Sequence, residues 1–285
     1  MCRASGTPFW GQEDRALSSR AAHQLGNGCE RAIGRAILLY AVVVNLSPPR
    51  HKLIAMPATA SSAPASHGTV GYYDDKYFCW QAPLGEFGGW ANLIKFRDYI
   101  KPSDTVIDYG CGGGYLLKQL NCKERLGIEI NQTARKTAES IGIRAVASAA
   151  EVPDNWADVI ISNNALEHTT RPLDEVKALL PKLKPGGRIV FVVPNESIIW
   201  KYAPNDVNQH IYAWSPMSIG NLFTHAGFEV EESKAFMHKW PRNYRFWARL
   251  SPTIFHFVCR MCARWERSWF QIRVIGCRPA ASKAS

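Results

Sequence analysis

The feature that most constrains this chain of 285 residues is a glycine-rich turn between a buried strand and a helix. The segment Val106–Tyr115 reads Val-Ile-Asp-Tyr-Gly-Cys-Gly-Gly-Gly-Tyr, so a carboxylate comes just before the glycines. Glycines let the backbone approach a ligand closely, and their amides can point at it. A GxGxxG turn for a diphosphate would need Gly or Ala in place of Tyr115. The turn therefore predicts a ligand site that does not hold a diphosphate.

Strands and helices alternate on both sides of this turn. The predicted strands are Thr105–Asp108, Leu126–Ile130, Arg144–Ala147, Ala157–Ser162, Arg188–Val193, Glu229–Ala235 and Phe270–Cys277. The predicted helices are Trp90–Ile100, Tyr115–Leu120, Thr133–Ser140, Leu173–Leu183 and Ser218–Ala226. Alternation of this kind predicts an α/β fold, in which a parallel sheet carries helices on both faces.

A second carboxylate, Glu129, follows the second predicted strand, 21 residues after Asp108. A carboxylate at that place can accept hydrogen bonds from both hydroxyls of a ribose. Asp108, just before the glycines, suits a cationic amino group such as that of an amino acid. A ligand with a ribose and an aminoacyl end but no diphosphate satisfies both acids, and S-adenosylmethionine is such a ligand.

With these motifs, residues 72–278 resemble the class I S-adenosylmethionine-dependent methyltransferases. The resemblance covers the turn, Glu129, the segment Asp158–His168, the helix end Leu183–Arg188 and the last pair of strands. It implies a Rossmann-like, doubly wound sheet of seven strands, mostly parallel with an antiparallel last strand. It also implies S-adenosylmethionine as the cofactor.

The resemblance further implies which residues bind that cofactor, from its aminoacyl end to its adenine: Asp108, Gly110, Cys111, Gly112, Glu129, Ile130, Ala149 and Ala150. Asn163, at the end of the fourth strand, is expected beside the methyl-bearing sulfur. Ala149 departs from the acid that the family often has at the adenine position, so the implied contact there is made by the backbone.

Two histidines are candidates for a general base. His168 ends the segment Asn163–His168, and similar Leu-Glu-His segments occur in ubiquinone-pathway methyltransferases. Some of those have a further acid that completes a metal site, but this chain has Asn164 there, so no metal is predicted. His210 lies in the long loop Trp200–Trp214 after the fifth strand, where acceptor pockets are built in open α/β folds. The alternatives are a structural hydrogen bond for His168 and an incidental loop position for His210.

The net charge of +10 is concentrated at the two ends of the chain. Residues 234–285 hold eleven Lys and Arg against one acid, whereas residues 71–233 hold sixteen against twenty. A protein that follows a phosphate backbone usually carries its positive charge through the working domain. Moreover, Asn163–Leu166 lacks the Pro-Pro-aromatic segment that the resemblance associates with methylation of nucleobases. We therefore expect no nucleic-acid partner.

The basic C-terminal region, about 240–269, is predicted as an aromatic-rich insertion helix. On a helical wheel its apolar stripe consists of Ile254, Val258, Met261 and Trp265. A basic stripe beside it consists of Arg260, Arg264 and Arg267. The helix either covers the core or makes peripheral contact with an anionic membrane or a lipid-linked acceptor. No apolar run reaches the roughly 18–20 residues of a bilayer-spanning helix. Eight irregularly spaced cysteines favour a reducing compartment and a cytoplasmic location.

The domain boundary is placed near residue 70. Residues 1–70 are a cleaved targeting segment, a disordered extension, or the result of an upstream start with Met56 as the working first residue; a dispensable extension is favoured. Residues 71–285 form the methyltransferase domain, with residues 71–100 as an N-terminal cap. Within this cap a wall of the acceptor pocket is expected from Tyr72, Tyr73, Trp80 and Glu86.

Together these observations predict methyl transfer from S-adenosylmethionine to an oxygen of a small metabolite, a sugar or a lipid-linked acceptor. Two alternatives stay open at this point. One is a nicotinamide-dependent oxidoreductase, which Tyr115 disfavours. The other is a cofactor-binding subunit without activity that supports a partner.

Overall fold

The computed structural model describes residues 84–196, 201–203, 206, 208–266 and 270–280. The predictions for residues 1–70 and for Tyr72, Tyr73, Trp80 and Arg267 lie outside these ranges. The strands are β1 (Thr105–Tyr109), β2 (Glu124–Ile128), β3 (Ala145–Val146), β4 (Ala157–Asn163), β5 (Leu183–Asn195), β6 (Glu229–Phe236) and β7 (Phe270–Cys277). The α-helices are α1 (Gly85–Asn92), α2 (Tyr115–Gln119), α3 (Gln132–Ser140), α4 (Pro172–Leu179), α5 (Pro216–His225), α6 (Tyr244–Leu250) and α7 (Pro252–Glu266).

The seven strands form one sheet in the order β3-β2-β1-β4-β5-β7-β6. Strands β1 to β5 pair in parallel, and β7 runs antiparallel to both of its neighbours, β5 and β6. The predicted fold, including its antiparallel last strand, is confirmed. Because β1 and β4 are neighbours, the carboxyl ends of both strands meet in the middle of one edge of the sheet. Ligands of open α/β sheets bind beyond this edge.

The core has two layers, one on each face of the sheet, because successive side chains of a strand point to opposite faces. On β5, Ile189 and Phe191 pack into one layer, and Val190 and Val192 pack into the other. All five residues of β1 are buried. A strand that is covered on both sides reads as a continuous apolar run, which is why β1 and β5 could be recognised from the sequence.

The predicted helix Trp90–Ile100 differs from the structure at both ends. Helix α1 begins at Gly85, and after Asn92 the chain continues in two 3-10 turns, Leu93–Lys95 and Arg97–Tyr99. At Phe96 the backbone leaves helical geometry, with φ at −125°.

The C-terminal basic region contains two helices where the sequence predicts one. Helix α6 ends at Leu250, Ser251 is extended with φ −174° and ψ 143°, and α7 begins at Pro252. Proline disfavours helical geometry in the residue before it, so Ser251 divides the segment. Within the described ranges, no helix combines the length and the apolar character that are needed to cross a membrane.

Candidate functional site

The glycine turn follows β1 and requires glycine for two separate reasons. Gly110, Gly112 and Gly114 have φ values of 72°, 53° and 76°, in the left-handed region that favours glycine. At Gly110 a Cβ atom would also lie 2.3 Å from the Cβ atom of Ala165. At Gly112, by contrast, a Cβ atom would meet nothing within 4 Å. The backbone is therefore open on that side of Gly112, as a ligand that contacts the main chain requires.

Asp108 lies on β1, one residue before the strand ends, and is buried. Burial raises the pKa of its carboxyl group well above the usual range, and the negative charge of Glu129 raises it further. A buried carboxylate is stabilised by a cationic partner. The aminoacyl end of S-adenosylmethionine carries such a cation, so Asp108 fits the role that the sequence predicts.

Glu129 follows β2 and is bound to the glycine turn. Its carboxylate accepts hydrogen bonds from the amide of Gly112 at 2.8 Å and from the amide of Asn131 at 2.9 Å. Burial raises the pKa of Glu129, and these amide hydrogen bonds oppose that shift. The two acids, 21 residues apart in sequence, therefore flank one turn. Their arrangement fits a ligand with an amino group at one place and hydroxyls at another.

The remaining residues predicted to bind the cofactor lie around this edge of the sheet. Cys111 is buried within the turn, and Ile130 is half exposed after β2. Ala149 is buried and Ala150 is exposed in a 3-10 turn, Ala149–Glu151, that follows β3. Both alanines lack a polar side chain, so only their backbone could form hydrogen bonds with an adenine.

Asn163, the last residue of β4, has a charged partner that the sequence does not reveal. The Nζ atom of Lys95 donates a hydrogen bond to its Oδ1 atom at 2.7 Å. Lys95 is almost completely buried, and burial lowers the pKa of its ammonium group to about 7, against the opposing charge of Glu167. The one sequence signal for this role is a lysine inside the apolar run Leu93–Phe96.

Glu167 lies in a 3-10 turn, Leu166–His168, and has no solvent exposure. Among the described residues, neither of its carboxylate oxygens has a hydrogen-bond partner. Burial raises the pKa of Glu167 to about 8, and the charge of Glu196 contributes to this shift. At neutral pH the carboxyl group is therefore mainly protonated.

The structure brings the two candidate histidines together beside Glu167. The rings of His168 and His210 are 4.8 Å apart between centroids, and their Nε2 atoms lie 3.8 Å and 4.0 Å from Oε1 of Glu167. The amides of Ile211 and Tyr212 donate to the main-chain oxygen of Glu167, which holds the loop of His210 against the turn. Two segments that are 42 residues apart in sequence thus form one cluster.

The two histidines differ in their surroundings. Burial and the charge of His210 together lower the pKa of His168 to about 4, so His168 is neutral at physiological pH. His210 contacts the carboxylate of Glu196 through its Nδ1 atom. That contact orients the ring so that Nε2 faces the interior of the cluster. Nothing in the sequence indicates that Glu196 lies beside His210.

The donor atoms of Glu167, His168 and His210 all lie within 4.8 Å of one another, which is close enough for a metal ion. Asn164, the residue that takes the place of an acid in some relatives, accepts a hydrogen bond from Gln271 on β7 at 3.2 Å. The prediction that no metal binds here stays a prediction.

A family model described as a methyltransferase domain matches residues 86–233, just over half of the chain. Among curated proteins, the ubiquinone biosynthesis O-methyltransferase of Nitrosospira multiformis is 26% identical over 184 residues, which cover 54% of this chain and 77% of that protein. The ribosomal protein L11 methyltransferase of Burkholderia cenocepacia is 33% identical over 104 residues, or 32% of each chain.

Solved structures of methyltransferases have a fold similar to that of this chain. A methyltransferase of Archaeoglobus fulgidus, described as dependent on S-adenosylmethionine, has a TM-score of 0.50 at 21% identity, covering 71% of this chain and all of that one. Phosphoethanolamine N-methyltransferase 2 of Haemonchus contortus, solved with S-adenosylmethionine, has a TM-score of 0.53 at 13% identity, covering 75% of this chain and 60% of that one. The donor of this chain is accordingly S-adenosylmethionine, and the chain belongs to the class I S-adenosylmethionine-dependent methyltransferases.

Proposed function

We propose that the enzyme methylates an oxygen atom of a small metabolite, a sugar or a lipid-linked acceptor, and that His210 is the general base. The contact between His210 and Glu196 is the observation that carries this proposal. The similarity to a ubiquinone biosynthesis O-methyltransferase supports oxygen as the acceptor atom. Methyl transfer by the pure protein would exclude the alternative of a cofactor-binding subunit without activity that supports a partner.

The residues proposed to hold the donor are those of the turn and of the neighbouring strand ends: Asp108, Gly110, Cys111, Gly112, Glu129, Ile130, Ala149, Ala150 and Asn163. When bound, S-adenosylmethionine supplies a methyl group that its sulfonium charge has already activated. The hydrogen bond between Lys95 and Asn163 fixes the amide at the end of β4. A fixed amide positions its ligand without further loss of side-chain entropy.

The acceptor hydroxyl is a weak nucleophile until its proton is removed, and this step is the task of the histidine cluster. A carboxylate on Nδ1 keeps the proton of a neutral imidazole on that atom and leaves Nε2 free to accept another. In His210, Glu196 is that carboxylate. Proton transfer to Nε2 leaves an imidazolium, which the Glu196 carboxylate stabilises. His168 and protonated Glu167 complete a polar wall on the other side.

The proposal is tested with radiolabelled donor and a fraction of cell extract that accepts the label. We expect His210→Asn to lower kcat/KM by about 10²- to 10⁴-fold, as the loss of a general base does. Glu196→Gln should lower it less and should shift the pH profile. His225→Asn, which changes an exposed histidine at the end of α5, is the matched control. Normal activity of His210→Asn at all pH values would contradict the proposal.

A metal ion in the same cluster is a separate outcome of this experiment. Under the proposal, dialysis against a chelator leaves the activity of the wild-type protein unchanged. If the activity falls on chelation and returns with one divalent cation, Glu167, His168 and His210 are metal ligands, and His210 is not the base.

The proposal also includes a cytoplasmic location and no nucleic-acid partner. All five cysteines within the described ranges are free thiols, which supports a reducing compartment: Cys111, Cys122, Cys259, Cys262 and Cys277. Residues 71–285 are proposed as the methyltransferase domain, and residues 1–70 as a dispensable extension.

A further inference from the structure

Helix α7 has two apolar faces, and one of them is exposed. The inner face, formed by Phe255, Cys259, Cys262 and Ala263, is buried. The outer face exposes four large apolar side chains at helical spacing: Ile254, Phe257, Met261 and Trp265. Phe257 and Trp265 are 63% and 69% exposed, which is unusual for aromatic side chains that have no function at a surface.

The preceding helix extends this exposed surface. Helix α6 packs against α7 and exposes Phe246 and Leu250. The exposed arginines of the two helices are Arg245, Arg249, Arg260 and Arg264. The sequence contains no Asp or Glu between Glu232 and Glu266. We define the docking surface as the exposed apolar and arginine side chains of α6 and α7.

The geometry points to an anionic lipid bilayer as the partner of this docking surface. A helix that exposes aromatic and aliphatic side chains beside arginines can lie in the interface of a membrane, with the apolar groups inserted and the arginines at the phosphates. Because the docking surface carries positive charge without acids, it is complementary to a negatively charged leaflet.

Two other partners fit less well. A second copy of the chain, docked through the same surface about a twofold axis, would place arginines opposite arginines without any acid between them. A nucleic acid would pair with the arginines, but the aliphatic side chains of Leu250, Ile254 and Met261 neither stack on bases nor bind phosphates. A bilayer accommodates both kinds of side chain.

The inner face of α7 connects the docking surface to the donor site. The ring of Phe255 lies 5.2 Å from that of Trp90 and 5.7 Å from that of Phe87, both on α1. Helix α1 in turn packs closely on α2, which follows the glycine turn, through Gly89. Docking would therefore hold the helix beside the donor site close to the membrane. If the acceptor is lipid-linked, a point that rests on the proposed function, it can be reached from the bilayer.

The test is co-sedimentation of the full chain with vesicles, without donor or acceptor. Vesicles of phosphatidylcholine are compared with vesicles that contain about 30 mol% phosphatidylglycerol. We expect binding to the anionic vesicles only, and weaker binding when the salt concentration rises from about 0.1 M to about 0.5 M. Binding does not require methyl transfer, so failure here and failure of the proposed function are distinguishable.

Two variants examine the two parts of the docking surface. The variant R260Q/R264Q should bind anionic vesicles about 30-fold more weakly, at roughly fivefold for each arginine. The variant F257Q/W265Q should bind at least about tenfold more weakly at unchanged charge. The matched control is K136Q/K177Q, which removes two exposed charges from α3 and α4. Equal binding to both kinds of vesicle, or equal loss in the control, would overturn the inference.

Discussion

At the scale of one residue, Asp108, which is proposed to bind the donor, has a buried carboxyl group that lowers the stability of the ligand-free protein as the pH rises. Its folded-state pKa is raised above the unfolded value, so the native state holds this proton more tightly than the unfolded chain does. The resulting stability is present at low pH and is lost as the pH rises through the folded-state pKa. As the pH rises above the usual carboxyl range, Asp108 without a cationic ligand therefore destabilises the protein.

We expect one substitution at Asp108 to have opposite effects on the ligand-free protein and on donor binding. Asp108→Asn should raise the melting temperature of the ligand-free protein above neutral pH and should remove most of the increase that S-adenosylmethionine causes in the wild type. Asp174→Asn, which changes an exposed acid on α4, is the control and should leave both quantities nearly unchanged. An undiminished donor effect in Asp108→Asn would show that this acid does not contact the donor.

Glu167 gives a second prediction, which depends on pH. Its pKa of about 8 in the folded state exceeds the unfolded value, so its contribution to stability is lost as the pH rises through 8. Glu167→Gln resembles the protonated carboxyl group at every pH. We expect the two proteins to melt at similar temperatures near pH 4, below the unfolded pKa of 4.5, and the variant to melt increasingly higher as the pH rises to about 8. The measurement is a melting curve at each pH. Parallel curves over the whole range would contradict the raised pKa.

Asp108 and Glu129 have a recognisable sequence signal, whereas Lys95 and Glu196 do not, for a physical reason. Asp108 and Glu129 belong to a turn and to strand ends, whose meeting point follows from the order of parallel strands. Lys95 and Glu196 reach Asn163 and His210 only through tertiary packing of irregular segments. A buried lysine or an orienting carboxylate has no spacing rule, so a single sequence gives no signal for its partner.

At the scale of elements, the packing of α1 on α2 depends on one glycine. A Cβ atom at Gly89 would lie 2.4 Å from the main-chain oxygen of Tyr115, so any side chain would push the two helices apart. At Gly88 the nearest atom is in the ring of Trp240, at 3.7 Å, which is an ordinary contact. Close packing therefore requires glycine at position 89 but not at position 88.

Substitution of Gly88 and of Gly89 by alanine gives two matched variants. Gly89→Ala should lower the free energy of unfolding by about 1–3 kcal/mol because of overpacking. Gly88→Ala should raise it by up to about 1 kcal/mol, since alanine is the better helix former. Urea unfolding measures both changes. If both variants are stabilised, α1 does not pack on α2 as closely as the structure has it.

The elements themselves were predicted to different degrees. The buried strands were recognised from their apolar runs, and β3 proved to be only Ala145–Val146. The predicted helix bounds were wrong in the two places where the helical backbone is interrupted. Pro252 divides the C-terminal helix, and in the cap the backbone leaves helical geometry at Phe96, with φ at −125°. The outward direction of Phe257 and Trp265 could not be read from a helical wheel, because the wheel does not show which face meets the core.

At the scale of the whole molecule, the sheet, the glycine turn and the histidine cluster all lie between residues 84 and 280. Among the described residues, contacts such as the pairing of Lys95 with Asn163 and of Gly112 with Glu129 hold the residues that are proposed to bind the donor. If residues 1–70 form a dispensable extension, their removal deletes none of these contacts. Stability and donor binding should then be independent of the first 55 residues, which precede Met56.

We therefore expect a chain that starts at Met56 to fold, to melt within a few degrees of the full chain, and to bind S-adenosylmethionine with the same affinity. Thermal melting and calorimetric titration of the two proteins measure this directly. A loss of several degrees with unchanged affinity would mean that the apolar segment Ala36–Val44 packs on the domain. A loss of affinity as well would mean that the N-terminal residues contribute to the donor site. The affinity for a ligand that binds only the native state falls when residues that form its site are removed.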